Sequence, residues 1–177
     1  MVTTGYTVFD TELGACAIAW SARGVLAVSL PQADDRALRG RIRRALPGAD
    51  EAPPPADVRR AIAAITALLA GEQSDLSAIA LDMERVPEFD RRVYEVARTV
   101  PPGDTITYGE IAARIGDGAA AQAVGQALGR NPFPIVVPCH RVLAAGGKLG
   151  GFSARGGVAT KRRMLAIEGV GAPSLFA

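Results

Sequence analysis

The sequence predicts an α/β (α+β) protein in two parts: a small N-terminal α/β domain, residues 1–83, and a helical C-terminal domain, residues 84–177, carrying a helix-turn-helix. Three observations point there. Short runs of strand-type periodicity separated by tight turns open the chain, apolar spacing switches to the helical repeat after Pro87, and charge changes sign between the halves. With 177 residues, 49% hydrophobic and 21% charged, the chain is long enough for a full domain and a smaller companion. No apolar run approaches the roughly 18 residues of a membrane span. The opening Met1-Val2-Thr3-Thr4-Gly5 lacks the basic-then-apolar pattern of a secretory signal, so the expected location is the cytoplasm.

Tyr6–Asp10, Ala15–Ser21 and Val25–Leu30, joined by Thr11-Glu12-Leu13-Gly14 and Ala22-Arg23-Gly24, read as an antiparallel meander. Arg36–Leu46 reads as a basic, exposed helix and Ala52–Ala56 as a Pro/Ala linker. Asp57 is expected to cap a helix whose Val58, Ala61, Ile62, Ile65, Leu68 and Leu69 share one face, ended by Gly71. Leu76–Leu81 is expected to add an edge strand. Nothing in this half names a chemistry.

Beyond Pro87, Phe89, Val93, Val96, Ala97 and Val100 form an apolar stripe stopped by Pro101-Pro102-Gly103. Thr107 with Glu110 is a capping box for a short helix with Tyr108, Ile111, Ala112 and Ile115 on one side. After the Gly116-Asp117-Gly118 turn, Ala120–Gly129 points Ala120, Val124, Ala127 and Leu128 inward. Gln122, Gly125, Gln126 and Gly129 make a nearly bare outer face. Two short helices joined by a glycine turn fit a helix-turn-helix, and equally a plain αα-hairpin. Ile135–Val137 is expected to be a short buried strand halted by Pro138, which places Cys139 and His140 at its end.

Charge and residue scarcity narrow the function. Residues 1–86 carry 9 basic and 11 acidic residues, whereas from Thr105 onward 8 basic residues face only Glu110, Asp117 and Glu168. A basic half of this kind suits a polyanion partner, although a solvated face has the same composition. Two cysteines and one histidine cannot furnish a four-ligand zinc site, so no metal or other cofactor is expected. Cys16, in an alternating strand, reads as packing. Cys139 adjoins the only histidine and reads either as a nucleophile or as an inert small hydrophobe. Neighbouring side chains diverge, so a bridging water is the reasonable path from the thiol to His140, and such a histidine needs a carboxylate on its other nitrogen. Glu168, the one acid between Gly118 and Ala177, lies in an apolar helix end where it needs a partner.

Pro138-Cys139-His140-Arg141-Val142, preceded by Asn131-Pro132 and Ala123-Val124-Gly125, resembles the C-terminal domain of the O6-alkylguanine-DNA alkyltransferases, or methylated-DNA–protein-cysteine methyltransferases. The likeness runs from about Phe89 to Gly169 and takes in Pro101-Pro102-Gly103, Thr105–Ala112, Lys161 with Leu165, and Glu168-Gly169. It implies a ribonuclease-H-like N-terminal domain and a winged-helix-like C-terminal one. It further implies a cytoplasmic, monomeric, cofactor-free repair protein that takes the alkyl group from O6-alkylguanine in duplex DNA, and from O4-alkylthymine, onto Cys139. Each molecule would react once. By position, His140 would be the water-mediated base, Glu168 its orienter and Asn131 the brace of the turn. The base would be flipped out through the minor groove by the helix bearing Gln122, Ala123, Gly125 and Gln126, with Tyr108 assisting. The backbone at Cys139 and Val142 would read the guanine edge, and Ser153 would lie near O6. Arg130, Arg141 and Arg155 complete the expected DNA-binding set.

The sequence departs from the family pattern at two places. Gln122 stands where an arginine usually fills the gap left by the flipped base, with Arg130 or Arg114 as possible substitutes. Phe152 stands where tyrosine is usual, in a loop two residues longer than the common form. Two other readings compete: a lesion sensor without transfer, against which the cysteine argues, and a Cys-His thiol hydrolase, which would regenerate its thiol.

Overall fold

The computed structural model describes residues 4–170. The chain divides into two compact units. One runs to Arg85 and includes Pro132–Val136; the other comprises Val86–Asn131 and the chain from Val137 onward. The sequence places the boundary at 83/84 and assigns residues 132–136 to the second part, so the five-residue excursion is a departure from that reading.

In the first unit the meander forms as β1 (Gly5–Thr11), β2 (Gly14–Ser21) and β3 (Gly24–Ser29). Gly5 pairs with Trp20 and Thr11 with Gly14 across the first hairpin; Ser21 pairs with Gly24 across the second. A glycine is required at the second turn: Gly24 has φ 141°, and a Cβ there would lie 2.5 Å from the Ala80 carbonyl oxygen. Helix α1 (Asp35–Ala45) is capped by the Asp34 carboxylate, which accepts from Ala37 N at 2.8 Å. Its Leu38 and Ile42 pack with Tyr6, Ala17, Ala19 and Ala27 of the sheet. The alternate face of β2, Cys16, Ile18 and Trp20, is buried as well, so this strand lies between two layers. A two-residue strand β4 (Asp50–Glu51) runs parallel to β1 and gives the order β3-β2-β1-β4.

Three expectations for this unit need correction. Helix α2 (Ala56–Leu69) starts one residue before Asp57; its cap is Pro55, with no side-chain bond, and Asp57 lies in the first turn. Leu76–Leu81 is not a strand, and only Leu81 bridges Val25. Ile135–Val137 is not a strand either. The segment turns at Ile135 and Val136, with Ile135 at φ 77°, while the Pro132 carbonyl accepts from Val28 N at 2.9 Å.

The second unit opens with α3 (Glu88–Ala97), whose buried face is Asp90, Val93, Tyr94 and Ala97. Phe89 and Val96, expected on that face, are only half-buried because Asp90 and Tyr94 take the inward positions. Two-residue strand β5 (Ile106–Thr107) pairs in parallel with β6 (Val142–Leu143), and α4 (Tyr108–Arg114) follows β5 directly. The Thr107 hydroxyl accepts from Glu110 N at 3.1 Å, as the capping box requires. After the glycine turn comes α5 (Ala121–Gly129), which buries Val124, Ala127 and Leu128. A one-turn 3₁₀ helix at Cys139–Arg141 leads into β6, and α6 (Gly157–Ile167) closes the unit. No helix among the described residues is long and apolar enough to cross a membrane.

Candidate active site

The β5–β6 pairing positions the site. Ile106 lies opposite Val142 and Thr107 opposite Leu143, so Tyr108 and the turn at Cys139–Arg141 come to the same end of this small ladder. Asn131 fixes the turn from the other side: its Nδ2 donates to the Val137 carbonyl at 3.0 Å, and its side chain also hydrogen-bonds the Cys139 sulfur. Cys139 N donates to the same Val137 carbonyl at 2.8 Å. The backbone carrying the thiol is therefore pinned before any ligand arrives.

Cys139 opens into a cavity of about 580 Å³. One wall is α5, through Ala121, Gln122, Gly125, Gln126 and Gly129; the opposite wall is the loop Gly151-Phe152-Ser153, and Tyr108 stands between. The volume is that of an ordinary small-ligand pocket, and it is bounded on one side by the nearly bare face of α5. Gly125 faces the Tyr108 ring, and a Cβ there would sit at an ordinary 3.9 Å from it.

Behind the thiol lies a buried charge network. His140 is 1% exposed, and its Nε2 lies 2.7 Å from Glu168 Oε1. A carboxylate only accepts, so Nε2 carries the proton and Nδ1 keeps its lone pair. Nδ1 is buried and makes no hydrogen bond among the described residues. Burial pushes the His140 pKa down, against the pull of Glu168, so the ring is a neutral base at pH 7. Glu168 receives two further bonds from Arg141, Nε to Oε2 at 2.9 Å and Nη2 to Oε1 at 2.8 Å. Burial alone would raise the Glu168 pKa, but the bonds from His140 and Arg141 hold it down at about 2. Cys139 moves the other way. Burial raises its pKa, only partly opposed by the Asn131 bond and the positive charge of Lys161, so the resting group is a thiol that needs a base.

Of the residues singled out in the sequence, Tyr108, Gln122, Gly125, Gln126, Cys139, Phe152 and Ser153 line the cavity, with His140, Glu168 and Asn131 directly behind it. Ala123 is half-buried on α5 outside the lining, and Arg155 is exposed on the far part of the loop. One assignment to the DNA surface needs correction. Arg141 is 5% exposed, spent on Glu168 and on the Val100 carbonyl at 2.7 Å. Arg130 makes a two-point bond to buried Asp90, at 3.0 and 2.8 Å, while its own side chain stays exposed. Val142 is buried and its carbonyl already accepts from Lys161 Nζ at 2.6 Å, leaving one lone pair for a ligand.

The comparisons with known proteins agree on this unit and extend past it. Residues 88–170 match the model of the 6-O-methylguanine DNA methyltransferase DNA-binding domain. A methylated-DNA–protein-cysteine methyltransferase of Mycobacterium bovis is 43% identical over 122 residues, 69% of this chain and 72% of that protein. The chain belongs to this family. A second methyltransferase, from Methanothermobacter thermautotrophicus, is 42% identical over 121 residues, 68% of the chain and just under two thirds, 66%, of that relative. The crystal structure of Mycobacterium tuberculosis OGT in complex with DNA superposes with TM-score 0.77 at 34% identity, covering 98% of this chain and 99% of that one. The methyltransferase fold thus extends over both units, although the family model matches only the second. The sequence points to the cysteine, histidine and glutamate that the structure brings together here, but not to the burial of Arg141 and Lys161 beside them. The signal was present: from Cys139 to Lys161 four cations, Arg141, Lys148, Arg155 and Lys161, stand with no acid among them.

Proposed function

We propose that this protein repairs DNA by direct reversal, transferring the alkyl group of O6-alkylguanine, and of O4-alkylthymine, to Cys139 in a single turnover. The observation that carries the reading is the half-buried Cys139 lining a cavity large enough to admit a nucleobase, next in sequence to a neutral histidine whose acceptor nitrogen has no partner among the described residues. A water between Sγ and Nδ1 takes the thiol proton to His140, and Glu168 stabilises the imidazolium that forms. The thiolate attacks the alkyl carbon in line with the C–O bond. An S–C bond forms, the C–O bond breaks, and its electron pair leaves with guanine, which takes up one proton. Net, thiol plus O6-alkylguanine gives thioether plus guanine.

The cavity reaches only an extrahelical base, so the target nucleotide must leave the stack at a cost of a few kcal/mol. In this reading the bare face of α5 enters the minor groove, Gln122 contacts the orphaned base and Tyr108 holds the nucleotide in its rotated position. Phe152 and Ser153 bound the alkyl group and O6, and Arg155 contacts a phosphate. We further infer a ribonuclease-H-like first unit, supported by the order β3-β2-β1-β4, and a winged-helix-like second unit, supported by α4, α5 and the loop after β6. The protein acts as a cytoplasmic monomer without metal.

The test is mass spectrometry after incubation with an O6-methylguanine duplex. One methyl per molecule on the Cys139 peptide is expected, absent in Cys139→Ser and never exceeding stoichiometry with excess substrate. Lesion binding without transfer would favour a sensor, and released alkyl product with free thiol a hydrolase.

A further inference from the structure

Lys161 lies on α6 with none of its surface exposed. Its ammonium donates to two carbonyls, Val142 O at 2.6 Å and Gly151 O at 3.3 Å, and stands 5.8 Å from the centre of the Tyr108 ring. Among the described residues it has no carboxylate partner, unlike Arg141, Arg130 and Arg39, each of which is paired. Two neutral dipoles and a ring face return only part of the hydration a primary ammonium loses on burial. A buried cation kept in this way needs a negative charge at some stage of its working cycle.

The surroundings identify that charge. Gly151, which accepts from Lys161, and Tyr108, whose ring faces it, line the same cavity as Cys139, so the ammonium lies directly behind that lining. The titratable groups around it are Cys139 and His140 from the 3₁₀ turn and Tyr108 from α4. Glu168 is already committed to His140 and Arg141. Among the described residues around Lys161, Cys139 is the group that turns negative when it gives up its proton to a base.

We propose that Lys161 is the counter-charge of the Cys139 thiolate: a positioning residue that ties the loop at Gly151 to the strand at Val142 and stabilises the anion formed when the thiol gives up its proton. This rests on Cys139 being the alkyl acceptor. The proton goes to His140, the negative charge appears on sulfur within the field of the ammonium, and S-alkylation then removes it, leaving the cation without its partner. The Lys161 pKa is accordingly soft: burial, opposed by the charge of Cys139, leaves it lowered to about 8.

The test uses iodoacetamide on the full chain, which needs the thiolate but neither DNA nor base flipping. Its S–C bond forms as C–I breaks and iodide leaves. Lys161→Met is expected to slow carbamidomethylation of the Cys139 peptide at pH 7 by about tenfold, with its pH profile moved up by about one unit. Lys161→Arg, which keeps the charge, should retain most of the rate. An unchanged pH profile in a folded Lys161→Met protein would overturn the proposal. A second measurement needs no substitution. The chain has two lysines, Lys148 and Lys161, so ¹³Cε-lysine labelling gives two signals to titrate. Capping Cys139 should lower the Lys161 titration and leave Lys148 in place, because coupling between two sites is reciprocal; identical Lys161 curves before and after capping would refute the coupling. Failure of methyl transfer from DNA with this coupling intact would sink the repair reading alone.

Discussion

Replacing Glu168 by Gln leaves the shape of the side chain and removes its charge. In the folded chain the carboxylate side chain is 2% exposed and accepts from His140 Nε2 and from two nitrogens of Arg141, itself buried. Those bonds outweigh burial and depress the Glu168 pKa from 4.5 to about 2. A depressed carboxylate pKa gives stability that is fully present above the unfolded value and lost as pH falls through the folded one. At about 1.36 kcal/mol per pH unit this group contributes on the order of 3 kcal/mol at pH 7, lost between about pH 5 and 2. The amide also strands the Arg141 guanidinium, and breaking a buried pair from one side costs about 3–5 kcal/mol. Urea unfolding at pH 7 should therefore show Glu168→Gln less stable by roughly that amount, with a shallower loss of stability on acidification than the wild type. The double variant Glu168→Gln with Arg141→Met should recover part of the difference, since it removes the orphaned cation. Equal acid dependence in wild type and Glu168→Gln would show that the carboxylate is not held in its ionised form by these partners, and the reasoning would fail.

Two further outcomes concern the reaction. Gln122→Arg adds charge and reach at the cavity mouth, so affinity for a lesion duplex, measured by titration at fixed salt, and the single-turnover rate should both rise severalfold, with a steeper salt dependence; unchanged values would show that Gln122 does not meet the orphaned base. The rate profile should hold its plateau below the ordinary histidine pKa of 6.5, because burial lowers that of His140 and the neutral base persists to lower pH. A rate that already halves at about pH 6.5 or above would show that burial does not hold the His140 pKa down in the working site.

Much of the fold was legible where local chemistry dictates it. The first three strands, the Thr107 cap and the burial of Val124, Ala127 and Leu128 follow from turns, capping and periodicity, and the structure agrees with each. The failures share a cause. Ile135–Val137 looks like a strand because it is apolar and β-branched, yet it turns, with a branched residue in the left-handed region that only surrounding structure can impose. Asp90 and Tyr94 break the expected stripe of α3 because each has a distant partner, Arg130 and the Ala127 carbonyl, that periodicity cannot see. The same blindness moved Arg141 to the surface in the sequence reading. A charge that is buried through pairing looks no different in sequence from one that is solvated.

The five residues Pro132–Val136 give the chain an unusual inheritance. The first unit claims them, while Asn131 and Val137, joined by a side-chain bond across the gap, belong to the second. No single cut therefore separates the two halves into self-sufficient pieces. A gene fragment beginning near residue 86 would keep Cys139 and His140 but orphan the buried Phe133, Ile135 and Val136 a few residues upstream. The half of the sequence that names no chemistry thus keeps a hold on the reactive half through the chain itself. Recombination that swaps one unit for another must carry this short segment along with the unit that folds it.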